Sequence, residues 1–395
     1  MRSKSRKLDT LLAHAGRSPE KNYGIVNPPV YHASTVLYPT MAARDAAIGN
    51  RYNQVTYGRT GTPTQFAFEE AVAAVEGGAR AVAFCSGAAA CFAAIHGFVK
   101  SGDHVLVTDS VYGPVRYFCT SFLERFGVST TFYDPRIGAG IADLIQDNTK
   151  LLYLESPGSL TFEIQDVPAM VAAAKPRGVT TVIDNTWASP VFFKPIALGV
   201  DVSVISATKY INGHSDVMMG IAVCTEQSFM PVRVAATQMG NHAAPDDSYL
   251  ALRGLRTAKV RMKQHEAQGI ALAQWLERRP EVARVLHPAL PSNPDYALWQ
   301  RDFTGASGLF SIVLQKDISE TALAAMVDHM ELFGMGASWG GFESLILPSH
   351  PERMRSATPW TEGPVVRLHA GLEDLEDLID DLEKGFERMA ATRRG

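Results

Sequence analysis

One stretch of the chain joins a buried-looking strand to an amine and two hydroxyls. It reads Val202-Ser203-Val204-Ile205-Ser206-Ala207-Thr208-Lys209-Tyr210, followed by the turn-rich Ile211-Asn212-Gly213-His214-Ser215-Asp216. An amine brought to the C-terminal edge of a sheet is suited to a Schiff base with an aldehyde cofactor, and Ser206 and Thr208 are suited to that cofactor's phosphate. A lysine that merely caps a strand end has the same local sequence, so the assignment depends on its company. Thr180-Thr181-Val182-Ile183-Asp184 ends a second apolar run in a carboxylate, whose charge would keep a pyridine nitrogen protonated. A third run, ending Phe84-Cys85-Ser86-Gly87-Ala88, passes into an alanine-rich helix. The free N–H groups and partial positive charge at such a helix start favour a phosphate. Tyr112, after a run beginning at Val105, is placed to stack on a cofactor ring; a lone tyrosine is otherwise core or surface.

The elements that must hold these residues alternate. Short apolar runs are predicted as strands at Ala81 to Phe84, Val105 to Thr108, Leu151 to Glu155, Thr180 to Asp184 and Val202 to Ser206. Between them, Ala88 to Lys100, Val115 to Phe126 and Val167 to Ala174 have helical length. Strand-helix alternation predicts an α/β fold with a mostly parallel central sheet and helices on both faces, in which chemistry collects at the C-terminal strand ends. Residues 1–65, broken by Pro28, Pro29, Pro39, Pro63, Gly58 and Gly61, read as an extended arm that builds no core of its own. Residues 66–256 form the cofactor-binding domain. A charged helix from about Arg256 to Arg279 then leads into a smaller C-terminal α/β domain, residues 257–395, ending in an acidic amphipathic helix from Leu372 to Arg388.

Composition excludes several classes. A chain of 395 residues exceeds the roughly 150-residue prior for one domain, so small disulfide scaffolds are out. The net charge is −4 with both signs mixed along the chain, which leaves no nucleic-acid footprint. The longest apolar stretch, Ala79 to Val99, is interrupted by Arg80, Ser86 and His96, so no membrane span is expected. The basic start (Arg2, Lys4, Arg6, Lys7) meets Asp9, His14 and Arg17 before any apolar core of a signal peptide. Cys85, Cys91, Cys119 and Cys224 form no C-x-x-C pair and read as reduced thiols of a cytoplasmic protein. There is no G-x-x-x-x-G-K-[ST] loop, and His265-Glu266 lacks the second histidine of a zinc helix, so no metal is expected. His214, His242 and His369 stand alone and read as core or surface.

Taken together these residues resemble the Cys/Met metabolism family of pyridoxal-phosphate enzymes, of fold type I, and within it the β-eliminating bacterial branch. The matches are Ser-Ala-Thr-Lys-Tyr at 206 to 210, Gly-His-Ser-Asp at 213 to 216, Leu-Glu-Ser-Pro-Gly-Ser at 154 to 159, Ile-Asp-Asn-Thr-Trp at 183 to 187 and Ser-Trp-Gly-Gly-Phe-Glu-Ser-Leu at 338 to 345. They run in order from Ala-Gly-Arg at 15 to 17 to Arg-Leu-His-Ala-Gly-Leu-Glu-Asp at 367 to 374. The resemblance implies pyridoxal 5'-phosphate linked to Lys209, with Asp184 on its ring nitrogen, Tyr112 over the ring, and Ser86, Gly87, Ala88, Ser206 and Thr208 around its phosphate. It implies that Tyr57 and Arg59 reach the phosphate of a neighbouring subunit, in a homotetramer of dimers that share active sites. Arg367 would take the substrate's α-carboxylate, with Ser338 and Trp339 lining the pocket, and Lys209, Tyr112 and Tyr57 would move protons. The implied reaction is β-elimination of L-cystathionine to homocysteine, pyruvate and ammonia.

Two kinds of departure bear on substrate. Ser159 and Ala337 stand where γ-acting members of the family carry asparagine and glutamate, which favours β-elimination. Thr60 and Tyr117 stand where well-known bacterial β-lyases carry an arginine and an aspartate for the distal half of cystathionine. Loss of those charges predicts broader use of cystine and S-alkyl cysteines, with Tyr117 lining the distal site. A γ-lyase or γ-synthase, and a non-catalytic cofactor-binding regulator, remain the alternatives.

Overall fold

The computed structural model describes residues 6–393. Arg2 and Lys4 of the basic start, and the first five residues of the arm, lie outside the described residues. Short apolar runs form β1 (Arg80–Phe84), β2 (His104–Thr108), β3 (Ser129–Tyr133), β4 (Thr149–Glu155), β5 (Thr180–Asp184), β6 (Val202–Ser206) and β7 (Gly220–Cys224). Their order is β1-β7-β6-β5-β4-β2-β3, all parallel except β7, which is antiparallel to both β1 and β6. Both faces are covered, so consecutive strand residues enter opposite cores. Leu152, Leu154 and Ile183 pack with the helices Val167–Ala174 and Ala258–Leu276 on one side. On the other, Leu151, Tyr153 and Val182 pack with Gly87–His96 and Glu226–Gln238. Each fully buried aliphatic side chain contributes roughly 1.5–3 kcal/mol. That burial anchors the sheet whose strand ends carry the site.

β3 and β7 are additions to the predicted strands. β3, Ser-Thr-Thr-Phe-Tyr, is an edge strand and needs no continuous apolar run. β7 follows the turn-rich link after Lys209, where strict alternation expects a crossover helix; the link instead reverses the chain. The helix predicted over Val115 to Phe126 is two joined stretches, Gly113–Tyr117 and Phe118–Leu123. The charged helix spans Ala258–Leu276 and the terminal one Leu375–Arg393.

A second sheet follows: β8 (Val282–Leu286), β9 (Leu309–Leu314), β10 (Gly334–Met335), β11 (Leu345–Ser349) and β12 (Val365–His369), in the order β10-β11-β12-β9-β8. Phe310, Ile312 and Leu368 from this sheet pack with Leu272 and with Leu378, Leu382 and Phe386 of the terminal helix in a separate core. The arm is not extended throughout, and part of it lies on its own chain. It contains the helices Leu8–His14 and Met41–Gly49, and Leu12 is buried in a cluster with Phe68 and Leu255. Arg256 Nη1 donates to the carbonyls of Leu12 and Ala15, both at 2.8 Å. About two turns of helix thus anchor the arm, while Tyr23, Leu37 and Met41 further along stay exposed. The boundary predicted at residue 65 falls inside the helix Pro63–Glu76. Among the described residues, no helix is long and apolar enough to cross a membrane.

Candidate active site

β6 ends at Ser206 and the chain turns at once, with Lys209 N–H donating to the carbonyl of Ser206 at 3.1 Å. The turn sends the lysine toward the second sheet, where Nζ donates to Ser338 Oγ at 2.6 Å and lies 5.1 Å from the centre of the Trp339 ring. Burial and the nearby Arg367 charge lower the Lys209 ammonium to about 8, against the opposing pull of Asp184. A lysine so tuned supplies neutral amine near neutral pH. Because only the neutral amine attacks an aldehyde, uptake of pyridoxal phosphate by cofactor-free protein should accelerate with pH and level off above about 8. An uptake rate still climbing toward pH of about 10, as for an ordinary lysine, would show that the site does not perturb Lys209.

Parallel register brings two carboxylates side by side, Glu155 at the end of β4 facing Asp184 at the end of β5. Asp184 Oδ1 accepts from Thr186 N at 2.9 Å and from Thr186 Oγ1, which fixes the carboxylate plane. Burial pushes the Asp184 carboxyl up, opposed by the Thr186 bonds, a Cys91 thiol 3.8 Å away and Lys209. Burial also raises Glu155 well above the carboxylate range, and the Asp184 charge adds to it. Glu155 is spent on structure: it accepts the Tyr112 N–H at 2.7 Å and the Ser159 hydroxyl. Asp184 is therefore the carboxylate of this pair left to face a cation.

At the neighbouring strand end, Ser86 caps the helix Gly87–His96 by accepting from Ala89 N at 3.1 Å. A Cβ at Gly87 would lie 2.6 Å from Ser206 Cβ and Oγ, so only glycine lets the helix start approach the end of β6. Thr208 Oγ1 donates to the carbonyl of Met219 at 3.1 Å and accepts its N–H at 2.9 Å. Its hydroxyl thus braces the entry to β7. The buried anionic Asp184, the amine of Lys209 and the glycine-lined helix start with its free N–H groups fit a phosphorylated pyridine aldehyde group by group: cation acceptor, imine former, phosphate cradle.

Tyr112, half-exposed, stands at the start of the helix Gly113–Tyr117, its backbone fixed by Glu155. Burial pushes its phenol up, with Cys91, Asp184 and Glu155 adding to the shift. Arg367 on β12 reaches the same space. Its Nη2 donates to the carbonyls of Ala337 at 2.8 Å and Ser338 at 3.2 Å, and among the described residues it has no carboxylate partner. Burial lowers it to about 10, which still leaves a cation waiting for an anion. Lys209, Asp184, Tyr112, Arg367, Ser338 and Trp339 are therefore brought together.

The arm residues are not joined to them. Arg59 Nη1 donates to the carbonyl of Thr237 at 3.0 Å, and among the described residues the half-exposed Tyr57 hydroxyl meets only Ser34 Oγ, at 3.5 Å. Thr60 turns its hydroxyl onto the carbonyl of Tyr57 at 2.8 Å, and Tyr117 is largely exposed. Sequence reasoning missed Glu155 as a site residue, although it ends a strand at the same edge as Asp184. It also missed Asp109, which accepts the N–H groups of Ser356, Ala357 and Thr358 at 3.0, 2.9 and 2.7 Å and pairs with Arg116. The buried Arg355–Glu163 pair at 2.7 Å ties residue 355 to the loop after β4, and Asp109 ties residues 356–358 to the loop before Tyr112. No local motif marks such a tie, because its partners are about 250 residues apart.

The chain is similar to known proteins along nearly its whole length. The model of the Cys/Met metabolism PLP-dependent enzymes matches residues 9–387. A putative cystathionine beta-lyase of Rhizobium johnstonii is 48% identical over 387 residues, covering 97% of each chain. Cystathionine beta-lyase of Escherichia coli is 46% identical, covering 97% of this chain and 99% of that one. Among solved structures, cystathionine gamma synthase from Xanthomonas oryzae pv. oryzae, in complex with aminoacrylate and cysteine, superposes with a TM-score of 0.89 at 32% identity, covering 98% of this chain and 100% of that one.

Proposed function

Because the chain belongs to the Cys/Met metabolism family of pyridoxal-phosphate-dependent enzymes, as a carbon–sulfur lyase, we propose that it converts L-cystathionine and water to homocysteine, pyruvate and ammonia by β-elimination. The observation that carries the reading is the convergence of Lys209, Asp184 and the carboxylate-free Arg367 on one space. The names borne by the two bacterial relatives support the β over the γ position of cleavage. Ala337 agrees with that choice: its carbonyl is held by Arg367 and its methyl offers no second carboxylate for proton transfer farther along the substrate.

When bound, pyridoxal phosphate supplies the electron sink that makes an α-hydrogen acidic. Lys209 would hold it by its aldehyde carbon until the substrate's amine takes that place and frees Nζ, and Asp184 would hold its ring nitrogen. Ser86, Gly87, Ala88, Ser206 and Thr208 would surround its phosphate. Arg367 orients the amino acid by its α-carboxylate, and Ser338 and Trp339 close that side of the pocket. Tyr112, or Tyr57 of a neighbouring subunit, removes the proton from the incoming amine. Lys209 Nζ then takes the proton from Cα and returns it to the departing sulfur.

Mass identification of the products from L-cystathionine tests the reading: pyruvate with homocysteine is expected, and oxobutyrate with cysteine would overturn it. Breadth is part of the proposal. Thr60 bonded to its own backbone and the exposed Tyr117 support a distal site without fixed charges, open to cystine and S-alkyl cysteines. The double substitution Thr60→Arg, Tyr117→Asp should raise the preference for cystathionine over S-methylcysteine about thirtyfold or more, since each of the two charge-assisted contacts is worth roughly 1–3 kcal/mol. An unchanged ratio of kcat/KM values would remove both positions from specificity. A cytoplasmic homotetramer of site-sharing dimers completes the proposal. The exposed apolar side chains of the arm, the absence of any tie from Tyr57 and Arg59 to Lys209, and the three buried free thiols support it.

A further inference from the structure

Alternation along β12 puts Arg367 and His369 on one face, and both meet the segment that carries Ser338 and Trp339. Arg367 holds its start through the carbonyls of Ala337 and Ser338. His369 holds its middle and end: Nε2 accepts the Gly340 N–H at 3.1 Å, and Nδ1 meets the carbonyl of Glu343 at 3.1 Å. An amide can only donate and a carbonyl only accept, so both bonds require the neutral ring with its proton on Nδ1. Burial keeps it neutral, and the charges that His265, Arg367 and Lys209 carry or acquire add to that. His369 is 1% exposed and packed between the rings of Tyr210, 5.9 Å away, and His265, 5.1 Å away.

The segment touches the lysine at two points. Ser338 Oγ accepts from Lys209 Nζ, and Gly340, with φ of +85°, lies so close that a Cβ there would be 3.0 Å from Lys209 Cα. Beyond it, Glu343 accepts from the Ser215 hydroxyl and the Phe342 carbonyl accepts from Leu372 N. Among the described residues, no other hydrogen bond reaches the backbone of residues 339–341. We propose that His369 is a positioning residue that sets the carboxylate-binding segment, residues 337–343, against Lys209. The inference rests on Arg367 being the carboxylate site, as the proposed function has it. Without the imidazole, the Gly340 amide is free to turn, and Ser338 and Trp339 move with it, so substrate binding suffers more than the proton transfers.

His369→Met removes both hydrogen bonds at similar size, while His369→Gln offers an oxygen where Nε2 stood. With holoenzyme of each, KM and kcat for L-cystathionine are measured beside the Kd of L-alanine, which has no leaving group, read from the cofactor's absorbance. H369M should raise both KM and Kd about tenfold with kcat changed less than about threefold, and H369Q should bring both back to within about threefold of wild type. Should H369M not yield soluble holoenzyme, His369→Asn, which keeps the Glu343 bond but falls short of Gly340, replaces it with the same expectation. Equal effects of the glutamine and the apolar variant, or a fall in kcat at unchanged KM and Kd, would overturn the proposal. A wild type that binds alanine but leaves cystathionine intact would sink the proposed function alone, and the alanine arm would still decide the role of His369. A wild type that binds neither amino acid sinks both.

Discussion

Lys209→Ala should lower turnover by about 10⁴-fold or more, since it removes the imine-forming amine and the proton carrier together. Cofactor should still bind, weakly, because Asp184 and the helix start at Gly87 are untouched. The visible absorption of lysine-linked cofactor should vanish, leaving that of the free aldehyde. The fold should survive: Lys209 makes one side-chain hydrogen bond, to Ser338 Oγ, and sits in a turn held by backbone bonds to Ser206 and Gly213. Absorbance spectra and a pyruvate assay on the purified variant read both effects. Activity within tenfold of wild type would take Lys209 out of the chemistry and with it the proposed reaction. Lys209→Arg is the useful companion. It keeps a charge near Ser338 but cannot offer a neutral amine, so it should be as inactive as the alanine variant.

What could be read in advance followed from local rules. β5, β6 and the helix Val167–Ala174 have their predicted bounds, since each is a mostly apolar segment with a sharp polar end. Lys209 and Asp184 were legible because strand ends are where side chains leave the core for solvent, so a charge there is conspicuous. Ties between distant segments were not. Asp109 reads as one more strand-end aspartate until residues 356–358 are folded onto it, and His369 reads as a lone histidine until residues 340 and 343 turn toward it. Glu155 lay between these cases: its place at a strand end was visible, but its spending on Tyr112 and Ser159 depends on a loop whose path no periodicity encodes. Where the arm docks was hidden for the same reason. Prolines and glycines mark where a helix stops, whereas the burial of Leu12 depends on a partner helix some 55 residues away.

Asp184→Asn tests the other pole of the site, and its isosteric amide removes charge while keeping shape. Its carbonyl can accept both bonds from Thr186, at N and Oγ1, so the end of β5 should hold its place. What goes is the carboxylate placed to face a ring cation. Stripping one partner from a buried ion pair costs about 3–5 kcal/mol, so kcat/KM should fall by roughly two to three and a half orders of magnitude, mostly through kcat. A second effect has a definite sign. The Asp184 charge raises the Lys209 ammonium, so its removal lets burial and Arg367 pull the lysine lower, and cofactor uptake should level off at lower pH than in wild type. Glu155 is the competing influence. Its carboxyl is pushed up partly by Asp184, and with that charge gone it ionises more readily one strand away. If Glu155 then served the ring nitrogen, D184N would lose less than tenfold, and adding Glu155→Gln would have to abolish what remained. The bonds that Glu155 makes to Tyr112 and Ser159 aim it away from that task, so the single substitution should already show the full loss.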